Sequence, residues 1–149
     1  MLFRSRRLSA LALALSAFAA AAGAVTPGPA QDWILHCRGC HGPDGEGASH
    51  RVPSLRDSVA PLMQIEEGRD FLMRVPGAAN SSLSDAQLAA VLNWLAIEFG
   101  GARLPKDPHR FSREEVSAAR RRPLLGVRRA RDEVAERLKA AGLTGPQDY

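Results

Sequence analysis

Apolar residues recur at helical spacing along this chain of 149 residues, and the alternation typical of β-strands is absent throughout. The clearest helix is predicted over residues 84–99. Ser84 and Gln87 form a capping box at its start, and Gly100-Gly101 marks its end. Its apolar stripe consists of Leu88, Val91, Leu92, Leu95 and Phe99. The pattern as a whole predicts an all-α fold.

Two shorter helices are predicted ahead of this one. The first covers residues 31–40 and is followed by Gly-Pro-Asp-Gly-Glu-Gly at residues 42–47, which must form a loop because glycine and proline break helices. The second covers residues 66–74, where apolar side chains again recur at helical spacing, and Pro76-Gly77 ends it.

The last third of the chain predicts a linker and two more helices. Residues 104–109 hold two prolines and indicate the linker. Ser112 and Glu115 form a second capping box, which predicts a helix through Arg122. A final helix over residues 127–141 has a narrow apolar stripe, enough to dock on the domain or on a partner. The stripe consists of Val127, Ala130, Val134, Leu138 and Ala141.

The first 24 residues predict a cleaved signal peptide. They combine a basic start, an apolar run over residues 8–22 and a small-residue cleavage site at Ala22-Gly23-Ala24. The apolar run is shorter than the roughly 20 residues that a membrane-spanning helix needs. We therefore expect cleavage, export to the periplasm, and no integral membrane segment in the mature protein. A twin-arginine export route is the weaker alternative. The basic residues are Arg4, Arg6 and Arg7.

Charge divides the remaining chain into two parts. Residues 25–100 carry five Arg or Lys and nine Asp or Glu, a net charge of −4, whereas residues 101–149 carry twelve and seven, a net charge of +5. We therefore expect a signal peptide over residues 1–24, a domain over residues 25–101, and a linker with a basic helical extension over residues 102–149.

The only two cysteines of the chain lie in one string, Cys37-Arg38-Gly39-Cys40-His41, whose C-x-x-C-H spacing marks covalent haem attachment. Cys37 and Cys40 are one helical turn apart and face the same side, where both thiols can add to the vinyl groups of one porphyrin. His41 then lies beneath the iron, where a neutral imidazole is a strong axial ligand. The sequence predicts one covalent haem c, and a haem-free form that folds poorly because a small core gains much from burying a porphyrin.

Two other uses of this string fit less well. A thioredoxin-like dithiol needs a βαβ context, and the strands for it are missing. A structural zinc site needs about four closed ligands, and the other histidines supply no second ligand pair. These histidines are His36, His50 and His109.

Residues 25–100 resemble a class I c-type cytochrome, with the cysteine motif on the first helix and residues 84–99 as the terminal helix. The resemblance implies a small all-α domain wrapped around one haem. It also implies that the first and last helices cross near the haem edge through an aromatic residue. Trp94 could fill this role, although ordinary core packing is the commoner use of a buried aromatic.

The stretch from Arg51 to Leu55 resembles the family segment in which a proline carbonyl accepts a hydrogen bond from the axial imidazole. The resemblance therefore implies that role for Pro53. Such an acceptor fixes the orientation of the ring and raises its basicity, which tunes the potential of the iron. A plain loop proline is the alternative.

The sixth iron ligand is where the sequence departs from the family, which usually supplies a methionine followed by proline. Val75-Pro76 stands at that place, and Met73 lies two residues earlier. Met73 is the first choice as ligand, although a flexible core filler is the commonest use of methionine. The alternatives are Met63, His50, His109 and an open sixth site.

The residues and the resemblance together predict a periplasmic mono-haem cytochrome that carries single electrons and is not an enzyme. The resemblance implies periplasmic redox partners, with a dehydrogenase as donor and a cytochrome or oxidase as acceptor. A haem-based ligand binder, or an oxidase or dehydrogenase subunit with an open sixth site, is the alternative. A thiol-disulfide protein that uses Cys37 and Cys40 is a third hypothesis.

The arginine runs of the extension do not indicate nucleic-acid binding, because aromatic residues are not interleaved with them and an exported protein rarely meets nucleic acid. Interspersed acidic residues favour a solvated helix face. A docking surface for an acidic redox partner is the alternative. The basic residues concerned are Arg120, Arg121, Arg122, Arg128, Arg129 and Arg131.

Overall fold

The computed structural model describes residues 27–49 and 51–145, so that the predicted signal peptide and His50 lie outside the described residues. Within these ranges the chain is helical, and its only β-type pairing is an isolated antiparallel bridge between Ala48 and Val52. The predicted all-α class is confirmed. The helices are α1 (Pro29–His36), α2 (Arg38–His41), α3 (Leu55–Leu62), α4 (Glu66–Arg74), α5 (Pro76–Ala79), α6 (Asp85–Gly100), a 3₁₀ turn (Gly101–Arg103), α7 (Arg113–Arg120) and α8 (Val127–Ala140).

Two of the predicted helices begin and end close to where the sequence placed them. Helix α4 has the predicted bounds. Helix α6 begins after Ser84, whose hydroxyl accepts the N–H of Gln87 at 3.3 Å, while the Gln87 side chain accepts the N–H of Ser84 at 3.1 Å. The capping box is therefore confirmed, and it satisfies two N–H groups that would otherwise lack partners at the helix start.

The prediction of one continuous helix over residues 31–40 is wrong. The backbone leaves helical geometry at Cys37, with φ −127°, and this residue ends α1 and caps α2. The carbonyl of Cys37 then accepts the N–H groups of both Cys40 and His41 at 3.1 Å. The break turns the cysteine motif into a compact turn of its own.

Helices α3 and α5 were not predicted. Helix α3 holds Pro61 in its last turn, where proline removes one N–H donor of the helix, and it buries Leu55, Val59 and Leu62. Helix α5 begins at Pro76, which was expected only to end α4. Proline has a favourable fixed φ at the first position of a helix, so it can end one helix and start the next.

Helix α6 is the centre of the packing. Helices α1, α3 and α7 lie against it, and α4 packs against α3, α7 and α8. Val91 and Leu88 on α6 are almost completely buried, as are Val116 on α7 and Leu138 on α8. The C-terminal helices therefore share the hydrophobic core of the domain. The sequence analysis allowed the final helix to dock either on the domain or on a partner, and in the structure it packs on the domain.

Buried polar contacts fix the extension to α6. The Asn93 side chain donates to the carbonyl of Phe111 at 2.9 Å and accepts the N–H of Phe111 at 2.8 Å. Arg69 on α4 donates to Glu115 at 2.9 Å, and its guanidinium lies 4.3 Å from the centre of the Phe111 ring. The segment that precedes α7 is thus held from two helices of the domain.

Replacing Asn93 by leucine should destabilise the protein by about 3 kcal/mol, because two buried backbone groups of Phe111 lose their partners at about 1–3 kcal/mol each. Denaturant unfolding of the haem-loaded protein measures this cost. Limited proteolysis should also cut the linker at residues 104–109 faster than in the wild type. The exposed Asn80 provides the matched control, and Asn80→Leu should cost less than about 0.5 kcal/mol. Equal costs for both variants would contradict the bridging role of Asn93.

The first arginine run is not a simple solvated face. Arg120 is half-buried and donates to Asp85 and to the carbonyl of Leu83, both at 2.8 Å. Arg122 forms an ion pair with Asp70 on α4. The Arg121 side chain instead donates a hydrogen bond to Ser117 on α7. Two of these three arginines therefore hold α7 on the domain.

Candidate functional site

The cysteine motif opens onto an apolar cavity of about 350 Å³. Cys37, Cys40 and His41 form one part of its wall, and α1, the loop before α3, and helices α3, α4, α5, α6 and α8 contribute to the rest. A volume above about 300 Å³ with a mostly apolar lining is typical of a small-molecule or cofactor site. The apolar wall outside the cysteine motif consists of Trp33, Val52, Pro53, Leu55, Val59, Leu62, Phe71, Leu72, Val75, Pro76, Gly77, Ala78, Leu88, Val91, Leu92, Leu95 and Val127.

His41 is half-buried in this wall, and its Nδ1 atom is shielded from solvent. Its Nδ1 atom has no hydrogen-bond partner. Burial lowers the pKa of His41, and the nearby backbone carbonyl of Pro53 opposes this. We infer that the carbonyl lies beside the ring without full hydrogen-bond geometry, since Nδ1 meets no partner within the distance and angle limits of a hydrogen bond. A neutral imidazole is the form that binds a metal.

The loop between His41 and Pro53 is held in a tight arrangement. Gly47 donates its N–H to the carbonyl of His41 at 2.7 Å and has φ +75°. Ala48 and Val52 exchange two backbone hydrogen bonds of 2.8 and 2.9 Å. Because of these contacts, the loop brings Pro53 back to the imidazole, which is the neighbour that the family resemblance implied for it.

Aromatic side chains fill the crossing of α1 and α6. The ring centre of Trp33 lies 5.4 Å from Phe99, 6.2 Å from Trp94 and 6.1 Å from His41. Trp94 therefore takes part in the helix contact expected of it, within ordinary aromatic packing distance. Trp33 is the ring that lies nearest to His41 in this cluster, and no role was predicted for it from the sequence.

The thiol of Cys37 is protonated at neutral pH. Burial, the Asp32 carboxylate and the neighbouring Cys40 raise the pKa of Cys37 to about 11. Thiol-disulfide enzymes and zinc sites need the thiolate, and their cysteines have lowered pKa values. Among the residues that the structure describes, no group of three or more His, Cys, Asp or Glu side chains could hold a metal ion. The raised pKa of Cys37 and the lack of such a group among the described residues therefore give the dithiol and zinc alternatives no support.

Neither candidate methionine lines the cavity. Met73 and Met63 are each 6% exposed and belong to the hydrophobic core. Val75 and Pro76, which stand where the family has methionine and proline, do line it. His109 is also absent from the wall, and its carbonyl accepts a hydrogen bond from Arg69 instead. The part of the wall around Val75 and Pro76 is thus formed by apolar groups.

Haem c fits the residues present. The cavity is apolar, as a porphyrin requires, and two thiols and a half-buried imidazole with an unpartnered nitrogen lie together on one side of it. Cys37 and Cys40 would carry the thioether bonds and His41 would be the axial ligand.

Most residues of this wall were not predicted from the sequence to belong to the site, Trp33 and four others from the loop, α3 and α8 among them. Ser58 and Arg51 are polar residues of the segment that follows the motif, and Val127 and Arg131 come from α8. Arg131 follows Val127 by four residues and precedes Val134 by three, so its spacing places it on the apolar stripe of α8. The helical spacing of Arg131 could therefore have identified it as an inward-facing residue, but the sequence analysis assigned it to the solvated basic face together with Arg128 and Arg129.

Helices of the described residues are all too short or too polar to cross a membrane. This finding concerns residues 27–49 and 51–145 only.

No family model matches the chain. Two curated proteins are similar to it, both named cytochrome c-552, one from Thermus thermophilus and the other from a particular strain of the same species. Each is 32% identical to this chain over 106 residues. The alignment covers 59% of this chain, together with 81% of the first relative and 72% of the second.

Proposed function

The chain belongs to the class I c-type cytochromes, and from that premise we propose that it is a mono-haem carrier of single electrons in the periplasm. The observation that supports the proposal is the placement of Cys37, Cys40 and His41 on one wall of an apolar cavity of about 350 Å³. The bound haem would supply the chemistry, because its iron cycles between the ferric and ferrous states. The protein would act as a carrier rather than as an enzyme.

The residues of the cavity would control the iron without reacting themselves. Cys37 and Cys40 would fix the porphyrin covalently, and His41 would bind the iron through one ring nitrogen. The Pro53 carbonyl would accept a hydrogen bond from the other nitrogen, which orients the ring and raises its basicity. The apolar wall would exclude water, and low solvent access favours the ferrous state, which carries less positive charge at the iron.

The proposed location rests on the sequence of residues 1–24, which has the three parts of a signal peptide. In the periplasm the protein would accept electrons from a dehydrogenase and pass them to another cytochrome or an oxidase. These partners follow from the family resemblance.

A ligand-binding haem protein is the second candidate, and one observation favours it. The wall at Val75, Pro76 and Gly77 offers no methionine, histidine or lysine. If this wall faces the sixth position in the loaded protein, the iron is open to a small ligand such as carbon monoxide or nitric oxide. Rapid binding of carbon monoxide to the ferrous protein would favour this candidate over a closed electron carrier.

Optical spectra of the full chain, matured in a periplasm with haem-attachment machinery, test the proposal. We propose Met73 as the sixth ligand, because it lies in the sequence between Leu72 and Val75, which both line the cavity. The ferric wild-type protein should then show the weak long-wavelength band that reports methionine bonded to iron. Met73→Ala should abolish this band and should lower the midpoint potential, because a methionine ligand raises it.

Met63→Ala is the matched control, because Met63 is equally buried and its loss leaves a core void of the same kind. It should retain the band. A band that survives in Met73→Ala and disappears in Met63→Ala would reassign the ligand. If the haem-loaded wild type lacks the band, methionine does not bind the iron. The electron-carrier proposal would then be replaced by the ligand-binding candidate.

A further inference from the structure

A second groove, of about 410 Å³, lies on the surface at the crossing of α1 and α6. Three aromatic side chains, Trp33, Trp94 and Phe99, line it together with Pro43. Of the described residues, Trp33 alone lines both this groove and the large cavity beside His41. The ring centre of Trp33 lies 6.1 Å from that of His41 and 6.2 Å from that of Trp94. Trp33 therefore connects the wall of the proposed haem site to the groove.

The charged side chains of the groove leave it with a net negative charge. Two carboxylates, of Asp44 and Glu98, stand against one guanidinium, of Arg56. Arg56 is matched by Asp44, because the two side chains lie 3.3 Å apart and Arg56 Nε also donates to the Asp44 carbonyl at 2.6 Å. Glu98 has no hydrogen bond or ion pair with another described residue. The groove also belongs to the part of the chain with a net charge of −4, residues 25–100, and such a field attracts a cationic partner.

An arginine side chain matches both the aromatic floor and the carboxylate of the groove. A guanidinium stacks on aromatic faces and binds a carboxylate through two parallel hydrogen bonds, whereas the lysine ammonium is a compact and strongly hydrated charge. Trp94 is half-buried, so part of its surface is accessible, and Glu98 follows it by four residues on the same face of α6. Ile97, three residues after Trp94, is 62% exposed and adds apolar surface beside the groove. Tryptophan and arginine are typical of the centres of protein interfaces.

We propose that this groove is the docking site for a redox partner that presents an arginine to Trp94 and Glu98, and that electrons cross Trp33 between the haem and that partner. The inference rests on the proposed function and gives the chemistry of the partner. One electron leaves the ferrous haem, which becomes ferric, and reduces the partner by one electron. No bond forms or breaks. Trp33 is a positioning residue, since it fills the space between the two sites with packed atoms and is not itself oxidised.

Binding of a tetra-arginine peptide to the haem-loaded full chain tests the docking site. The chain has two tryptophans, so two indole N–H signals are expected in the NMR spectrum, and Trp94→Phe assigns them. The peptide should shift the Trp94 signal at low ionic strength, and added salt should weaken its binding. Glu98→Gln should weaken binding by about threefold or more. Glu66→Gln removes the same charge from an exposed position on α4 outside the groove, and it should weaken binding by less than about 1.5-fold.

A cationic oxidant tests whether electrons use this groove. Tris(phenanthroline)cobalt(III) takes one electron from the ferrous haem and becomes cobalt(II). Saturating tetra-arginine should slow this oxidation by about twofold or more, because the bound peptide blocks the groove and repels the oxidant. Glu98→Gln should slow it by a similar factor and should leave the midpoint potential unchanged, whereas Glu66→Gln should have the rate of the wild type.

A Trp94 signal that does not respond to the peptide would overturn the inference, and so would equal weakening of binding by Glu98→Gln and Glu66→Gln. An oxidation rate that the peptide leaves unchanged would also overturn it, since electrons would then leave the haem elsewhere on the surface. A wild-type chain that matures without haem overturns the proposed function together with this inference. A haem-loaded wild type that fails any of the other tests overturns the inference alone.

Discussion

Replacing both Cys37 and Cys40 by serine should abolish covalent haem and leave most of the protein unfolded. Without the cofactor the apolar cavity of about 350 Å³ has nothing to fill it. At about 24 cal/mol for each Å³ of void, such a cavity would cost about 8 kcal/mol, close to the whole stability of a small domain at about 5–15 kcal/mol. This cost is an upper limit, because the walls can close partly around the void. Circular dichroism at neutral pH and haem staining after denaturation measure the two effects.

The single variants Cys37→Ser and Cys40→Ser are the matched controls. Each leaves one thioether and His41, so each should retain haem through denaturation at reduced yield and should fold around it. Serine adds no volume, which excludes steric disruption as the cause of a loss. A double variant that keeps haem bound after denaturation and extraction would contradict covalent attachment through these residues. A double variant that unfolds no more readily than the singles would contradict the argument from the cavity.

The sequence predicted the helices whose ends carry local signals. The bounds of α4 and the start of α6 follow from residues that stop or cap a helix whatever surrounds them, such as the Ser84 capping box. Helix α3 was missed because Pro61 and the nearby loop residues weaken the local signal, and its formation depends on burying Val59 against α6. Tertiary packing stabilises such a helix, and the local helix propensity of its residues does not predict it.

The part of the site that is local in sequence could be predicted, and the part that folding assembles could not. Cys37, Cys40 and His41 are neighbours in the chain, so their spacing alone places them together. Arg131 reaches the same cavity from 90 residues after His41, across a contact between α8 and α4. Helical periodicity could predict which residues of α8 face inward, but only the packing of the helices determines which cavity they line.

The position of Met73 shows a further limit of sequence reasoning. The spacing to Pro76 suggested a ligand, yet the residue next to that proline, Val75, occupies the wall instead. Successive helical residues differ by about 100° in direction, so Leu72 can face the cavity while Met73 faces the core. A departure of two residues from the family pattern therefore leaves Met73 in the core and Val75 on the cavity wall.

Replacing Gly47 by alanine should destabilise the haem-loaded protein by about 3 kcal/mol or more, and should also disturb the axial histidine. A Cβ atom here would meet the carbonyl oxygen of Val52 and would lie 2.7 Å from the carbonyl group of Pro53. Both contacts are with backbone, which cannot rotate away, so the segment that faces His41 must move. The positive φ of +75° adds strain of about 1–2 kcal/mol for any residue with a Cβ.

Gly142 separates the strain from the collision, because it has φ +71° and no atom within 4 Å of a Cβ built there. Gly142→Ala should therefore cost only about 1–2 kcal/mol in denaturant unfolding and should leave the haem spectrum unchanged. Gly47→Ala should cost more and should also shift the midpoint potential, because the hydrogen bond proposed from His41 to the Pro53 carbonyl would tune the basicity of the ligand. If both variants lose the same free energy of unfolding and neither changes the midpoint potential, glycine is required at position 47 only for its positive φ. A larger cost accompanied by a shifted potential would tie the close approach of Gly47 and Pro53 to the properties of the iron.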